Sequence, residues 1–192
     1  MTPLILLRHP SWRLPIARSV AALGLAAAVT MWHRPTVAWL AMAFSLYCLA
    51  DASIFVAAAW RRSVTGLPTW AMLARGIAGL GGALAMAFAG RGLPQSLHAL
   101  IVGWAVLAGM FDIVAGLYAR GRVDGETFLW LNGVVSAFLG AILSLLPPAA
   151  VADTADLIAV YAAMAATLLL LLGARIAVTT MPQRSVVVQR ST

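Results

Sequence analysis

The apolar residues of this chain fall into six continuous blocks, at about Leu14–Trp32, Val37–Trp60, Trp70–Ala89, Leu97–Ala119, Phe128–Leu146 and Ala155–Ala174. Polar and helix-breaking residues separate them: His33-Arg34-Pro35, Ser63 to Thr69 with Gly66 and Pro68, Gly90-Arg91-Gly92-Leu93-Pro94, a segment holding Asp124, Gly125 and Glu126, and Pro147-Pro148. Each block has the length that carries a helix across a hydrocarbon layer of about 30 Å. Backbone facing lipid must satisfy its hydrogen bonds internally, which selects helix for blocks of this kind. A transmembrane barrel would need segments of roughly ten alternating residues, and these blocks do not alternate. The pattern predicts an all-α, polytopic membrane protein with six transmembrane helices.

The blocks also repeat. Ala17-Arg18-Ser19-Val20, Ala74-Arg75-Gly76-Ile77 and Leu131-Asn132-Gly133-Val134 open three similar stretches at one constant spacing, so that Arg18, Arg75 and Asn132 are equivalent. Each stretch is a helix, a turn and a second helix running into arginine, which gives repeats at about residues 14–62, 70–122 and 128–176. Self-similarity at a fixed period decides architecture ahead of any local signal. A two-helix unit begins and ends on one side of the membrane, so the three hairpins share an orientation and a pseudo-threefold bundle is expected. Residues 1–13 and 177–192 are left as cytoplasmic segments. Small faces such as Arg75-Gly79-Ala83-Ala87 and Ser136-Gly140-Ser144 allow helices to approach closely.

Composition adds direction. Hydrophobic residues make up 62% of the 192 residues and charged ones 10%, which leaves no material for a soluble domain. The net charge of +7 comes from thirteen arginines. On alternating loops they divide 11 to 2, with only Arg34 and Arg91 on the minority side. That asymmetry is the positive-inside signature and places both termini in the cytoplasm. It argues for the lipid bilayer as partner and against nucleic acid. Trp12, Trp60, Trp70 and Trp130 fall at cytoplasmic block ends and Trp32 and Trp39 flank an outer turn, as aromatic belts do, while Trp104 lies deep. The first block carries Arg13 and Ala26-Ala27-Ala28 like a signal peptide, but its likeness to two later repeats predicts a retained span. Asp153 and Asp156 suit the outer N-terminus of the sixth helix.

The chemistry-bearing residues are few. Cys48, the single cysteine, reads as a small buried hydrophobe. His33 and His98 lie near the outer face and His9 near the cytoplasm; solvated side chains or an outer pH sensor fit these positions. No metal, nucleophile or phosphate-loop motif occurs, and Gly79-Leu80-Gly81-Gly82 reads as helix packing. No enzyme activity and no cofactor are therefore expected. Asp51 and Asp112, by contrast, lie in the middle of apolar blocks. Matching the second helices by their terminal arginines sets Asp51 on Asp112 and places Thr167 in the third position. The first helices offer Arg18, Arg75 and Asn132. Two repeats thus carry one cation and one anion, and the third has lost both, which is what pairing predicts. An unpaired charge at a helix centre costs about 2.5–3.5 kcal/mol on insertion scales. A polar cluster of Arg18, Asp51, Arg75, Asp112, Asn132 and Thr167 is expected. The bland alternative is that Arg18 and Arg75 snorkel to the interface.

With Arg75-Gly76-Ile77 through Pro94, and Leu107 through Tyr118-Ala119-Arg120, as the best example, the repeats resemble the HdeD family of acid-resistance membrane proteins over about Trp12 to Arg175. Ser19 replaces the glycine of that pattern in the first repeat, and Asn132 the arginine in the third. The resemblance implies a bacterial inner-membrane protein of acid or general stress resistance, and it carries no catalytic residues. Two other readings follow from the residues: a small-solute or ion transporter along the pseudo-threefold axis, and an assembly partner for other membrane proteins or for a second copy of the chain.

Overall fold

The computed structural model describes residues 12–31, 36–60, 69–89, 94–121, 126–147 and 151–180. Eight of the thirteen arginines (Arg8, Arg34, Arg61, Arg62, Arg91, Arg122, Arg184 and Arg190) lie outside the described residues, as do His9, His33 and Trp32. The described residues form six helices and no strand: α1 (Arg13–Thr30), α2 (Val37–Trp60), α3 (Thr69–Ala89), α4 (Pro94–Ala119), α5 (Glu126–Leu145) and α6 (Val151–Thr180). All six are long and apolar enough to cross a membrane. The chain is a multi-pass membrane protein.

Local chemistry sets the helix ends. The Thr36 hydroxyl accepts the Trp39 N–H at 3.2 Å and caps α2. Pro94, expected in a turn, instead opens α4, where its missing N–H costs nothing. Gly121 follows α4 with a φ of 69°, a left-handed conformation that glycine adopts without strain, and its N–H donates to Glu126 Oε2 at 2.7 Å. That bond ties the end of α4 to the start of α5. The sixth helix runs through Thr180, past the end expected near Arg175.

Helix packing does not follow the hairpins. The most extensive contacts join α4 to α5, α2 to α3 and α1 to α6, while helices within one hairpin touch less, α3 and α4 least. The first helix thus packs on the last and closes a ring. Small residues make the tight seams. A Cβ on Gly133 would stand 2.7 Å from the Gly109 carbonyl oxygen, and one on Gly79 would meet the Ala52 Cβ at 2.7 Å. Backbones that close gain dispersion contacts in a solvent that supplies no hydrophobic drive between helices. Gly79, Ala83, Ser136 and Gly140 all face these seams, whereas Ala87 and Ser144 are exposed.

Similar contacts recur at one spacing along the chain. Gly76 lies against the Ala52 carbonyl and Gly133 against the Gly109 carbonyl, and the Ser19 hydroxyl donates to the Ala166 carbonyl at 2.8 Å. Gly116 meets Trp130, and Gly173 meets Ile16. Ala52, Gly109 and Ala166, Gly76 and Gly133, and Gly116 and Gly173 advance by the spacing that separates Arg18 from Arg75, and Ser19 and Ile16 stand where that spacing wraps back to α1, so the second helices keep the register of the first. This corrects the alignment that placed Asp51, Asp112 and Thr167 at one position. In the observed register Asp51 corresponds to Ala108 and Ala165, and Asp112 to Phe55 and Leu169. The terminal arginines are a poor anchor because, at that spacing, Arg61 falls on Tyr118 and Arg175, whereas Arg120 and Arg122 stand further along the chain.

Bulky apolar side chains cover the outside. On α3, Leu73, Ile77, Leu80, Leu84 and Phe88 are all exposed along its length, a surface suited to lipid and not to water. The seams give a direct prediction. In Gly109→Ala the new methyl would stand 2.6 Å from backbone atoms of Ala137 and Gly133, so α4 and α5 must separate. Thermal unfolding of the purified protein should show a loss of about 1–3 kcal/mol, the usual range for overpacking. Gly103→Ala, with nothing within 4 Å of its Cβ position and a helical backbone that alanine favours, should not lower the transition.

Candidate functional site: a buried ion network

Five of the six polar residues expected to cluster meet in the centre of the bundle. Arg18 enters from α1, Asp51 from α2, Arg75 from α3, Asp112 from α4 and Asn132 from α5. Arg18 Nε donates to Asp51 Oδ1 at 2.9 Å, while Nη1 and Nη2 donate to Asp112 Oδ1 and Oδ2 at 3.3 and 2.9 Å. One guanidinium therefore holds both carboxylates, gripping Asp112 with its planar fork. Arg75 Nη2 lies 2.8 Å from Asp51 Oδ2. Asn132 Nδ2 donates to Asp112 Oδ2 at 2.6 Å. No member exposes more than 4% of its surface. Two cations and two anions cancel, so the buried cluster is electrically neutral.

The helix register explains why one arginine reaches both acids. Asp112 stands one turn further along its helix than Asp51 does on its own, about 6 Å in axial rise. The two carboxylates approach Arg18 from different levels and helices instead of facing each other. Snorkelling is excluded for Arg18 and Arg75, since both guanidinia point into the bundle and are buried. Thr167 does not join them. It is exposed, and its hydroxyl donates to the Ala163 carbonyl of its own helix at 2.9 Å. At the spacing that separates Arg18 from Arg75, the residue that follows Asp112 is Leu169 and not Thr167.

Aromatic rings complete the surroundings. Two nitrogens of Arg75, Nε and Nη1, have no hydrogen-bond partner among the described residues. Its guanidinium instead lies 4.5 Å from the Trp104 ring centroid, 5.4 Å from Phe55 and 5.7 Å from Phe111. Phe55 also faces Arg18 at 4.9 Å. Desolvated cation–π contacts are worth about 2 kcal/mol or more and offset part of the missing hydrogen bonding. Trp104 fits because position 82 is glycine, where the equivalent positions of the other repeats hold Leu25 and Leu139; a Cβ there would already stand 3.1 Å from the indole. Sequence reading marked Trp104 as deep but missed Phe55 and Phe111. The signal was present: Phe55 lies one helical turn from Asp51, and Phe111 adjoins Asp112.

A hydroxyl layer sits above. Ser136 Oγ donates its one hydrogen to the Ala105 carbonyl at 2.9 Å, so at 3.1 Å it accepts from the Tyr161 hydroxyl. Cys48 is fully buried, with its sulfur 4.0 Å from that of Met86. His98 Nε2 donates to the Leu143 carbonyl at 2.9 Å near the start of α4. Asp51 Oδ1 and both oxygens of Asp112 accept hydrogen bonds from arginine or asparagine nitrogen, while Asp51 Oδ2 meets Arg75 as an ion pair only and the buried Asn132 Oδ1 has no hydrogen-bond partner among the described residues.

The chain matches no family model, no curated protein and no solved structure.

The geometry ranks the two arginines. Arg18→Met removes the partner of both carboxylates and leaves Asp112 with only Asn132. Breaking a buried pair in this way costs about 3–5 kcal/mol. Arg75→Met leaves Asp51 its bond to Arg18 and should cost less. Thermal unfolding of the two variants in the same detergent checks the order.

Proposed function

We propose that this chain is a non-enzymatic inner-membrane protein of acid and general stress tolerance, similar to the HdeD type, in which the Arg–Asp network is a protonation-sensitive packing element. The observation that carries the reading is Arg18, a permanent cation held in hydrocarbon by two titratable anions. At neutral pH the charges balance and pin α1, α2, α3 and α4 together. Protons arriving at Asp51 and Asp112 cancel the anions and leave two guanidinia without counter-charge in a low dielectric. The packing must then change, because unpaired buried charge is too costly to keep.

The architecture belonging to this reading is three parallel-oriented helical hairpins with both termini in the cytoplasm of a bacterium. Its support is the set of contacts recurring at the repeat spacing, together with the 11-to-2 division of arginines. Like-oriented repeats bring equivalent positions to one depth, which is what allows residues from α1 to α5 to meet in one neutral cluster.

Two measurements test the proposal. The transition temperature of the wild type should fall on acidification, as protons cancel the charges that hold the arginines. That of Asp51→Asn/Asp112→Asn should start low and stay level. Cells producing this double variant at normal levels should survive acid less well than those with the wild type. Undiminished survival, or a pH-independent wild-type transition, discards the packing switch and leaves the fold untouched.

A further inference from the structure

The helices α2, α4 and α6 carry a second pattern that the ion network alone does not use. At the ends where they begin, Val37, Pro94 and Val151, with Leu40, Leu97 and Thr154 one turn below, surround a shared opening of about 10 Å³. Each of these trios occupies equivalent positions of the three repeats. A space of this size holds roughly one water molecule. One turn further in lie Phe44, Ile101 and Ile158, again equivalent, with exposures of 1%, 0% and 0%. Tyr47, Trp104 and Tyr161 form the next set, and Asp51 and Asp112 stand on the two levels after that. A mouth, an apolar constriction, a polar aromatic level and a charged level thus succeed one another along the three inner helices.

Apolar constrictions close pores by excluding water, and rings of arginine select anions. From the combination we infer that the α2–α4–α6 axis is a closed pathway for small inorganic anions, opened by acid. The inference rests on the protonation reading above and names what the altered site admits. The groups facing Asp51 are Arg18 from α1, Arg75 from α3, and Tyr47 and Cys48 on its own helix, with Tyr161 of α6 in electrostatic range. Those facing Asp112 are Arg18, Asn132 from α5, and Tyr161. Protonating both acids turns this neutral level into one of charge +2, with Arg75 Nε and Nη1 already without hydrogen-bond partners among the described residues. An anion from the mouth is the species that restores neutrality there. A cation meets two guanidinia and is repelled.

Chloride efflux from proteoliposomes, with valinomycin and potassium carrying the balancing charge, tests this. Efflux at about pH 4 should exceed that at about pH 7.5 by about tenfold or more, over protein-free vesicles as baseline. Asp51→Asn/Asp112→Asn should conduct at both pH values. Ile158→Ala, which thins the constriction and leaves the ion network in place, should raise efflux at about pH 7.5. Absence of chloride efflux at both pH values, or efflux of potassium in place of chloride, overturns the pathway. If the pH-dependent shift in transition temperature persists without efflux, the pathway falls alone; if both are absent, the packing switch falls with it.

Discussion

The central constraint on this molecule is that charge inside hydrocarbon must be neutralised within a few ångströms. Arg18 meets it by holding Asp51 and Asp112 together, and the remaining placements follow from that contact. The guanidinium has to serve two carboxylates from separate helices, so those helices must deliver them at different heights. Arg75 then completes Asp51, and Asn132 completes Asp112 without adding a third cation. A third arginine at position 132 would leave the cluster with net charge. Asparagine supplies the donor and no charge.

Packing serves this constraint as well. The tight seams between α2 and α3, α4 and α5, and α6 and α1 are made by glycine, alanine and serine. They draw the helices that carry Asp51 and Arg75 together, and likewise those that carry Asp112 and Asn132. Arginine on α1 then links across to α2 and α4. The seams fix which side chains can touch, and the ion network joins the seams to one another. Neither device is sufficient alone: small residues set distance but not rotation, and a buried network sets rotation only once the backbones are close.

Much of this was legible in the chain. Six helices followed from block length, and the meeting of Arg18, Arg75, Asp51, Asp112 and Asn132 followed from the cost of unpaired charge. What failed was register. Asp51 and Asp112 look equivalent because each precedes a block-ending arginine by a similar distance, and Thr167 was drawn in by the same logic. The helices in fact align through Ala52, Gly109 and Ala166, small residues whose role shows only when their partners on the next helix are known. The aromatic shelter of Arg75 was hidden for a related reason. Phe55, Trp104 and Phe111 in apolar blocks look like any lipid-facing or core ring, and only the three-dimensional meeting of α2, α3 and α4 gives them a cation to cover.

The departures from threefold symmetry are themselves ordered by charge. A fully symmetric bundle would put three identical side chains at each level, so any acid there would face two copies of itself. Staggering Asp51 and Asp112 by one turn, with Phe55 at the level of Asp112, replaces that repulsion by attraction to a shared arginine and leaves a ring face over both guanidinia. The substitution of glycine at position 82 belongs to the same adjustment. It occurs at the α3–α4 interface, the least extensive between neighbours, and there it admits the Trp104 indole over the arginine that has the fewest hydrogen bonds. The network exists because the helices carry different side chains at the levels where copies of one acid would repel.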